Sequence, residues 1–145
     1  QVIGVFDKKW MKPFAEALRE NGVIHAYIVN SEDGMDEISP FAKTNVIELK
    51  DGMIKEFTID PNALGINASN RENLKGKNAE YNSEKIIEIC KGINNEFSQS
   101  VALNVAAGLI VSGIDTNFKI AYEKASKHLN SGNVFIHLSK IQSNQ

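Results

Sequence analysis

An apolar run from Ile24 to Val29 leads directly into a turn that is rich in carboxylate side chains. The run is short and rich in β-forming residues, so it predicts a buried strand. Asp33 and Gly34 then predict a turn. In open α/β sheets, ligands bind in the crevice beyond the carboxyl ends of the strands. The adjacent carboxylates that follow the turn, Asp36 and Glu37, are therefore predicted to lie in that crevice.

Adjacent carboxylates in such a crevice indicate a hard cation, and Mg²⁺ is the best match. Mg²⁺ is usually held by one or two carboxylates and shares its shell with water and substrate phosphates. An EF-hand calcium loop is a poor match, because counting back from Gly34 puts Val29 where the first Asp belongs. The alternative is that the acidic side chains form only a solvated surface loop, and the local residues leave both interpretations open.

Composition and charge predict one intracellular globular domain. The chain has 145 residues, 42% of them hydrophobic and 23% charged, which is enough for a single core. Its net charge of −2 and its scattered basic residues carry no signature of nucleic-acid binding. Cys90 is the only cysteine, so no intramolecular disulfide can form and a reducing, cytoplasmic location is predicted. Its apolar neighbours indicate that Cys90 packs as a small hydrophobe.

The beginning of the chain predicts a strand, a helix and a second strand. Residues 1–6 have a strand pattern, and Asp7 can cap the helix that follows. Trp10, Phe14 and Leu18 recur at every fourth residue, with Met11 and Ala15 alongside, which predicts one apolar stripe of this helix with Trp10 and Phe14 in the core. Together with the apolar strand that follows, this is the strand-helix-strand unit of parallel sheets.

The rest of the chain predicts a hairpin and then helices. Residues 44–49 and 53–59 alternate like strands, and a turn sequence joins them. The predicted helices are 78–91, 96–114, one capped by Asp115 and ending at Asn130, and 133–141. The second of them is apolar on nearly all sides, which predicts a place in the domain centre, and it is too short to span a bilayer. Its Asn104 then needs an internal hydrogen-bond partner, and its Gly108 would allow a neighbouring backbone to approach closely.

The order of these elements predicts an α/β fold. It comprises a partial parallel sheet with one strand-helix-strand unit, a β-hairpin and a carboxyl-terminal group of helices. Residues 1–145 contain no repeat or linker. Three or four strands are few for this amount of helix, so the chain is interpreted as one portion of a larger α/β domain from which some strands are missing. The start at Gln1, without methionine or a signal-peptide pattern, indicates a segment of a longer polypeptide. Without a secretory signal, the glycosylation pattern Asn67-Ala68-Ser69 carries no weight.

Seven segments, spread in order along nearly the whole chain, form a recognisable set. The most specific is Glu-Asp-Gly-Met-Asp-Glu-Ile-Ser at residues 32–39. The others are Gln-Val-Ile-Gly-Val at 1–5, Pro-Phe-Ala-Glu-Ala-Leu at 13–18, Glu-Leu-Lys-Asp-Gly at 48–52, Pro-Asn-Ala-Leu-Gly at 61–65, Leu-Asn-Val-Ala-Ala at 103–107 and Ser-Gly at 131–132. The set resembles the carboxyl-terminal part of the α/β domain of anthranilate phosphoribosyltransferase. In that setting the magnesium interpretation of Asp36 and Glu37 becomes the preferred one.

The resemblance implies a transferase of tryptophan biosynthesis that joins anthranilate to phosphoribosyl pyrophosphate, releases pyrophosphate and uses Mg²⁺. Members have a small helical domain and a larger α/β domain, and they commonly form homodimers through the helical domain. Their paired acidic residues, which help hold magnesium near the diphosphate, are matched here by Asp36 and Glu37. The family's Gly-Thr-Gly-Gly-Asp loop, Lys-His-Gly-Asn segment and anthranilate-contacting arginine all lie before the matching segment. No catalytic or substrate-binding residue is therefore assigned in this chain, which is expected to be inactive alone.

The sequence leaves two other functions open. A pyrimidine nucleoside phosphorylase shares the overall fold, although the acidic run and its spacing argue against it. A non-catalytic binding or regulatory module could also have this fold without the chemistry. The sequence before Gln1 in the intact gene discriminates between them, because a glycine-rich diphosphate loop there would support the enzyme.

Overall fold

A computed structural model describes residues 1–68 and 70–143. Within them, one sheet contains the strands β1 (Val2–Gly4), β2 (His25–Ser31), β3 (Thr44–Lys50) and β4 (Met53–Ile59), side by side in that order. The helices are α1 (Met11–Glu20), α2 (Ala79–Cys90), α3 (Glu96–Val111), α4 (Phe118–Asn130) and α5 (Asn133–Ser143). Short 3₁₀ turns occupy Lys8–Trp10, Pro61–Leu64 and Arg71–Leu74. The predicted α/β fold is confirmed, while Ser69 of the glycosylation pattern lies outside the described residues.

The sheet is mixed, and only its first pair of strands is parallel. Strand β1 runs parallel to β2, as the predicted strand-helix-strand unit requires, with Ile3 opposite Ile28. Strand β3 is antiparallel to both of its neighbours, β2 and β4. The β3–β4 hairpin is tight because Asp51 and Gly52 both adopt positive φ angles, of 50° and 78°. Two such residues form the hairpin turn whose twist matches that of the strands.

Asparagine side chains begin three of the helices. Asn78, Asn95 and Asn117 each accept a hydrogen bond from a backbone N–H of the first turn of α2, α3 and α4, respectively. The prediction that Asp115 caps the fourth helix is wrong, because Asn117 lies directly before Phe118 and takes that place. Asp115 instead accepts hydrogen bonds from Lys124 Nζ at 2.8 and 2.9 Å. No helix in residues 1–68 or 70–143 is long and apolar enough to cross a membrane.

The sheet is covered on both faces, so two apolar clusters form. Tyr27 and Val29 of β2 face the helices α3 and α4. The alternate residues Ala26 and Ile28 face α1 on the other side. Because successive side chains of a strand point to opposite faces, a strand buried on both faces is apolar at nearly every position. This explains the unbroken apolar run of β2, whose residues Ala26 to Val29 are all buried.

Only part of the predicted apolar stripe of α1 packs against the sheet. Met11 and Ala15 are buried, whereas Trp10 and Phe14 are 42% and 41% exposed. These two rows of the stripe are neighbours on the helix surface, about 100° apart. Ala15 has a small side chain and is completely buried, so α1 lies close to the sheet at that point. The predicted core role of Trp10 and Phe14 is therefore wrong.

Helix α3 is central but not buried on all sides. Its buried residues are Ser98, Ala102, Leu103, Ala106, Ala107 and Ile110. Val101 and Val105 are 39% and 46% exposed on the other side, so the helix has the predicted central place although its apolar surface is not buried all round. The predicted close approach at Gly108 is also wrong, because a Cβ built there has no described atom within 4 Å beyond its own helix. Cys90 is buried, as predicted.

Candidate metal centre

Asp36 and Glu37 lie at the edge of the sheet where the parallel strands β1 and β2 end. Both line a cleft of about 430 Å³, together with Val2, Gly4, Val29 and Asn104. Both side chains are exposed. The structure thus brings these two predicted residues together beside the carboxyl ends of parallel strands, where ligands bind in open α/β sheets.

One side of the Asp36–Glu37 segment is fixed by a tight turn. The Ser31 N–H donates to the Met35 carbonyl, and the Gly34 N–H donates to the Ser31 carbonyl, each at 3.0 Å. Gly34 adopts a φ of 85°, which a residue without a Cβ adopts at little cost. Met35, the residue before Asp36, is therefore tied to the last residue of β2.

The other side of the segment is fixed by α3. The Ile38 N–H donates to Asn104 Oδ1 at 3.1 Å, and Asn104 Nδ2 donates to the Ile38 carbonyl at 3.1 Å. Asn104 Nδ2 also donates to the Ser100 carbonyl of its own helix at 2.9 Å. The prediction that Asn104 has an internal hydrogen-bond partner is confirmed. The Ile38 side chain is fully buried in the cluster between the sheet and the helices α3 and α4.

Asp33 has a structural role, unlike the two carboxylates that follow it. Its Oδ2 accepts from the Ser39 hydroxyl at 2.8 Å, and its Oδ1 accepts from the Met35 N–H at 3.3 Å. Partial burial acts to raise the pKa of the Asp33 carboxyl, but four effects that lower this pKa outweigh burial when they are added together. These are hydrogen bonds from Ser31, Ser39 and the Met35 amide and the charge of Arg71. Asp33 therefore stays ionised and holds the turn closed.

Gly4 supplies the space against which the Asp36 main chain packs. A Cβ at this position would overlap the Asp36 carbonyl group, with the carbonyl carbon 2.8 Å away. Only glycine therefore lets the acidic segment lie this close to the end of β1. The sequence contained no separate signal for this contact, since Gly4 has the appearance of an ordinary strand residue.

Replacing Gly4 by alanine should destabilise the chain and displace Asp36. We expect Gly4→Ala to lower the free energy of unfolding by about 1–3 kcal/mol, because the overlap is with main-chain atoms that cannot rotate away. Urea unfolding of the 145-residue chain measures this change. Gly108→Ala is the matched control, and it should stabilise the chain by up to about 1 kcal/mol, since its site in α3 is open. Equal stability of Gly4→Ala and the unsubstituted chain would contradict the packing described here.

The donor set of the cleft suits a magnesium ion that is completed by other ligands. Within the described residues, Asp36 and Glu37 form no ion pair with a basic side chain. The same residues contain no group of three or more His, Cys, Asp or Glu side chains that could hold a metal ion. Mg²⁺ is commonly bound through one or two carboxylates plus water and substrate phosphates. Two exposed carboxylates beside an open cleft fit that pattern.

Comparison with known proteins identifies the family. The sequence pattern of the family described as "Glycosyl transferase family, a/b domain" matches residues 1–135. The chain belongs to this glycosyl transferase family. The glycosyl transferase domain is also 54% identical over 142 residues to anthranilate phosphoribosyltransferase of Pelagibacter ubique, and 40% identical to that of Methanosarcina barkeri. The predicted resemblance is confirmed by these relatives.

The match covers almost all of this glycosyl transferase domain but less than half of each relative. It includes 98% of this chain and 43% of the Pelagibacter protein, or 38% of the Methanosarcina protein. Anthranilate phosphoribosyltransferase from Thermus thermophilus superposes with a TM-score of 0.83 at 29% identity, over 94% of this chain and 40% of that one. A variant of anthranilate phosphoribosyltransferase from Saccharomyces cerevisiae, with Mg bound, superposes with a TM-score of 0.82 at 25% identity, over 95% of this chain and 40% of that one.

Proposed function

We propose that residues 1–145 are the carboxyl-terminal portion of the α/β domain of an anthranilate phosphoribosyltransferase. The observation that carries this proposal is the 54% identity to the Pelagibacter enzyme over 98% of the chain. The intact protein would transfer the phosphoribosyl group of phosphoribosyl pyrophosphate to anthranilate, in tryptophan biosynthesis. We propose further that it is a cytoplasmic homodimer, as its family resemblance implies.

Asp36 and Glu37 would form the magnesium-binding edge of this active site. Their exposed carboxylates border the cleft at the ends of β1 and β2. A bound Mg²⁺ would neutralise charge on the departing pyrophosphate. The yeast relative that was solved with Mg bound supports this choice of ion. The remaining coordination would come from the diphosphate and water, since this cleft offers only two carboxylates.

The surrounding residues would contribute by holding the carboxylates in place. The turn closed by Asp33 and the two hydrogen bonds between Asn104 and Ile38 fix both ends of the Asp36–Glu37 segment. Groups held in position before the substrate arrives need no rearrangement when charge develops in the transition state. No residue of this chain is assigned as a general acid or base.

A fusion enzyme tests the proposed function. It joins this chain to the part of the Pelagibacter ubique enzyme that the chain does not match. We expect the fusion enzyme to consume anthranilate, measured by the loss of its fluorescence, only when phosphoribosyl pyrophosphate and Mg²⁺ are both present. The intact Pelagibacter enzyme is the positive control.

Two results would contradict the proposal in different ways. A folded fusion enzyme that leaves anthranilate untouched would favour a non-catalytic module. Release of thymine from thymidine and inorganic phosphate would favour a pyrimidine nucleoside phosphorylase. Circular dichroism of the fusion enzyme, compared with the Pelagibacter enzyme, establishes that it is folded in either case.

A further inference from the structure

Asn104 is a polar residue at the centre of a mostly apolar helix, and it reaches a loop that is remote in sequence. It lies between Leu103 and Val105 in α3, 66 positions after Ile38. Its side-chain amide pairs with both the N–H and the carbonyl of Ile38, as a neighbouring strand would. The third bond, to the Ser100 carbonyl, fixes the orientation of the amide. A side chain held in three hydrogen bonds has little rotational freedom.

The position of this contact matters because of what lies next to it. Only Asp36 and Glu37 separate Ile38 from Met35, whose carbonyl accepts the hydrogen bond from Ser31 at the end of β2. The two carboxylates therefore form a short segment between two fixed points, one on the sheet and one on α3. Loss of either fixed point would free the segment that carries both carboxylates.

We propose that Asn104 is a positioning residue for the magnesium site. This inference rests on the proposed function, because it assigns Asn104 a role in the same site. Asn104 lines the cleft, but its polar atoms are committed to Ile38 and Ser100, so it acts on the ion through the loop. The hydrogen bonds of Asn104 hold the main chain of Ile38 in place. They thereby determine the positions of the Asp36 and Glu37 carboxylates. Residues that orient metal ligands typically change metal affinity by 10–100-fold when they are replaced.

Two substitutions at Asn104 test the proposal, with one matched control. Asn104→Leu keeps the approximate size of the side chain but removes both the acceptor for the Ile38 N–H and the donor to the Ile38 carbonyl. Asn104→Ala removes both bonds and favours the helix, so it guards against misfolding of the first variant. Ser98→Ala is the control, because Ser98 is buried in α3 and bonds to Asn95 at the helix start, away from the acidic loop.

The first measurement is amide hydrogen exchange of the 145-residue chain without metal. We expect the Ile38 amide to exchange at least about tenfold faster in both Asn104 variants than in Ser98→Ala, since the side-chain acceptor of its N–H is lost in both. The second measurement is the Mg²⁺ concentration that half-saturates the fusion enzyme. We expect it to rise about tenfold in the Asn104 variants, with much of the turnover recovered at high Mg²⁺, and to stay unchanged in Ser98→Ala.

The outcomes separate this inference from the function on which it rests. Unchanged Ile38 exchange in both Asn104 variants would show that the hydrogen bonds between Asn104 and Ile38 do not hold the loop, which overturns the proposal. Faster exchange with an unchanged Mg²⁺ requirement would show that Asn104 stabilises the fold without positioning the carboxylates. An inactive, folded fusion enzyme of unsubstituted sequence would overturn the proposed function and, with it, the positioning role. A raised Mg²⁺ requirement in Ser98→Ala would show that any weakening of α3 has the same effect, which also overturns the proposal.

Discussion

The 145-residue chain alone is expected to consume no detectable anthranilate, even at high concentrations of phosphoribosyl pyrophosphate and Mg²⁺. Phosphoribosyl transfer needs the diphosphate loop, the metal carboxylates and the anthranilate pocket together, because positioning supplies much of the rate enhancement. The sequence contains no Gly-Thr-Gly-Gly-Asp loop, and the chain spans 43% of its Pelagibacter relative. Anthranilate fluorescence measures this directly, and turnover by the isolated chain would mean that its catalytic residues have been misplaced.

Adding the unmatched portion of the Pelagibacter enzyme as a separate polypeptide should produce turnover. Within the described residues, β1 pairs only with β2, so its other edge is open. Beside that edge, Phe6, Trp10 and Phe14 line an apolar cleft of about 270 Å³ that also reaches Gly4 and Asp36. An unpaired strand edge next to exposed apolar side chains favours association with a complementary chain. The unmatched portion of the Pelagibacter enzyme, assayed alone and then mixed with this chain, is the required comparison. Mixtures that remain inactive while the fusion enzyme works would contradict reassembly.

The double substitution Asp36→Asn with Glu37→Gln should abolish most of the activity of the fusion enzyme. We expect turnover to fall on the order of 100-fold or more, because removal of one group that stabilises developing charge typically costs that much. The dependence of the remaining turnover on Mg²⁺ should also change. Stability should change by no more than about 0.5 kcal/mol, since both side chains are exposed. Turnover across a Mg²⁺ titration measures the effect.

Glu32→Gln provides the control for this double substitution. Glu32 is exposed in the same acidic turn, but it does not line the cleft with Asp36 and Glu37. Its replacement should leave both turnover and the Mg²⁺ requirement near those of the unsubstituted fusion enzyme. If the double variant retained the original magnesium dependence, Asp36 and Glu37 would have to be removed from the proposed site.

Local signals in the sequence determined most of the secondary structure. The hairpin follows from Asp51 and Gly52, whose positive φ angles close the turn between β3 and β4. Asn78 begins α2 by accepting a hydrogen bond from the Tyr81 N–H at 3.0 Å. Such signals act over a few residues, so they can be interpreted without knowledge of the rest of the fold. The place of Asp36 and Glu37 beyond β2 was predictable for the same reason, because it depends on where one strand ends.

Tertiary structure alone decided which surfaces and side chains meet. The spacing of the apolar residues showed that α1 has an apolar stripe, but only the structure shows that Met11 and Ala15 are buried while Trp10 and Phe14 are partly exposed. The need of Asn104 for a partner was evident in the sequence, whereas the identity of that partner, Ile38, was not. Periodicity establishes that a helix has an apolar side, but the rotation of the helix is set by packing against the sheet.

The four acidic residues of the turn, Glu32, Asp33, Asp36 and Glu37, also show what the sequence determined and what the fold decided. In the sequence, the adjacent pair Asp36 and Glu37 indicated a metal site, but the local residues left a solvated acidic loop open as the alternative. In the fold, Asp33 is hydrogen-bonded to Ser39, while Asp36 and Glu37 are left exposed beside the cleft. The difference arises because the ionisation and availability of a carboxylate depend on the donors and charges around it. Those neighbours, including Gly4 and Asn104, come from distant parts of the chain and are assembled only by folding.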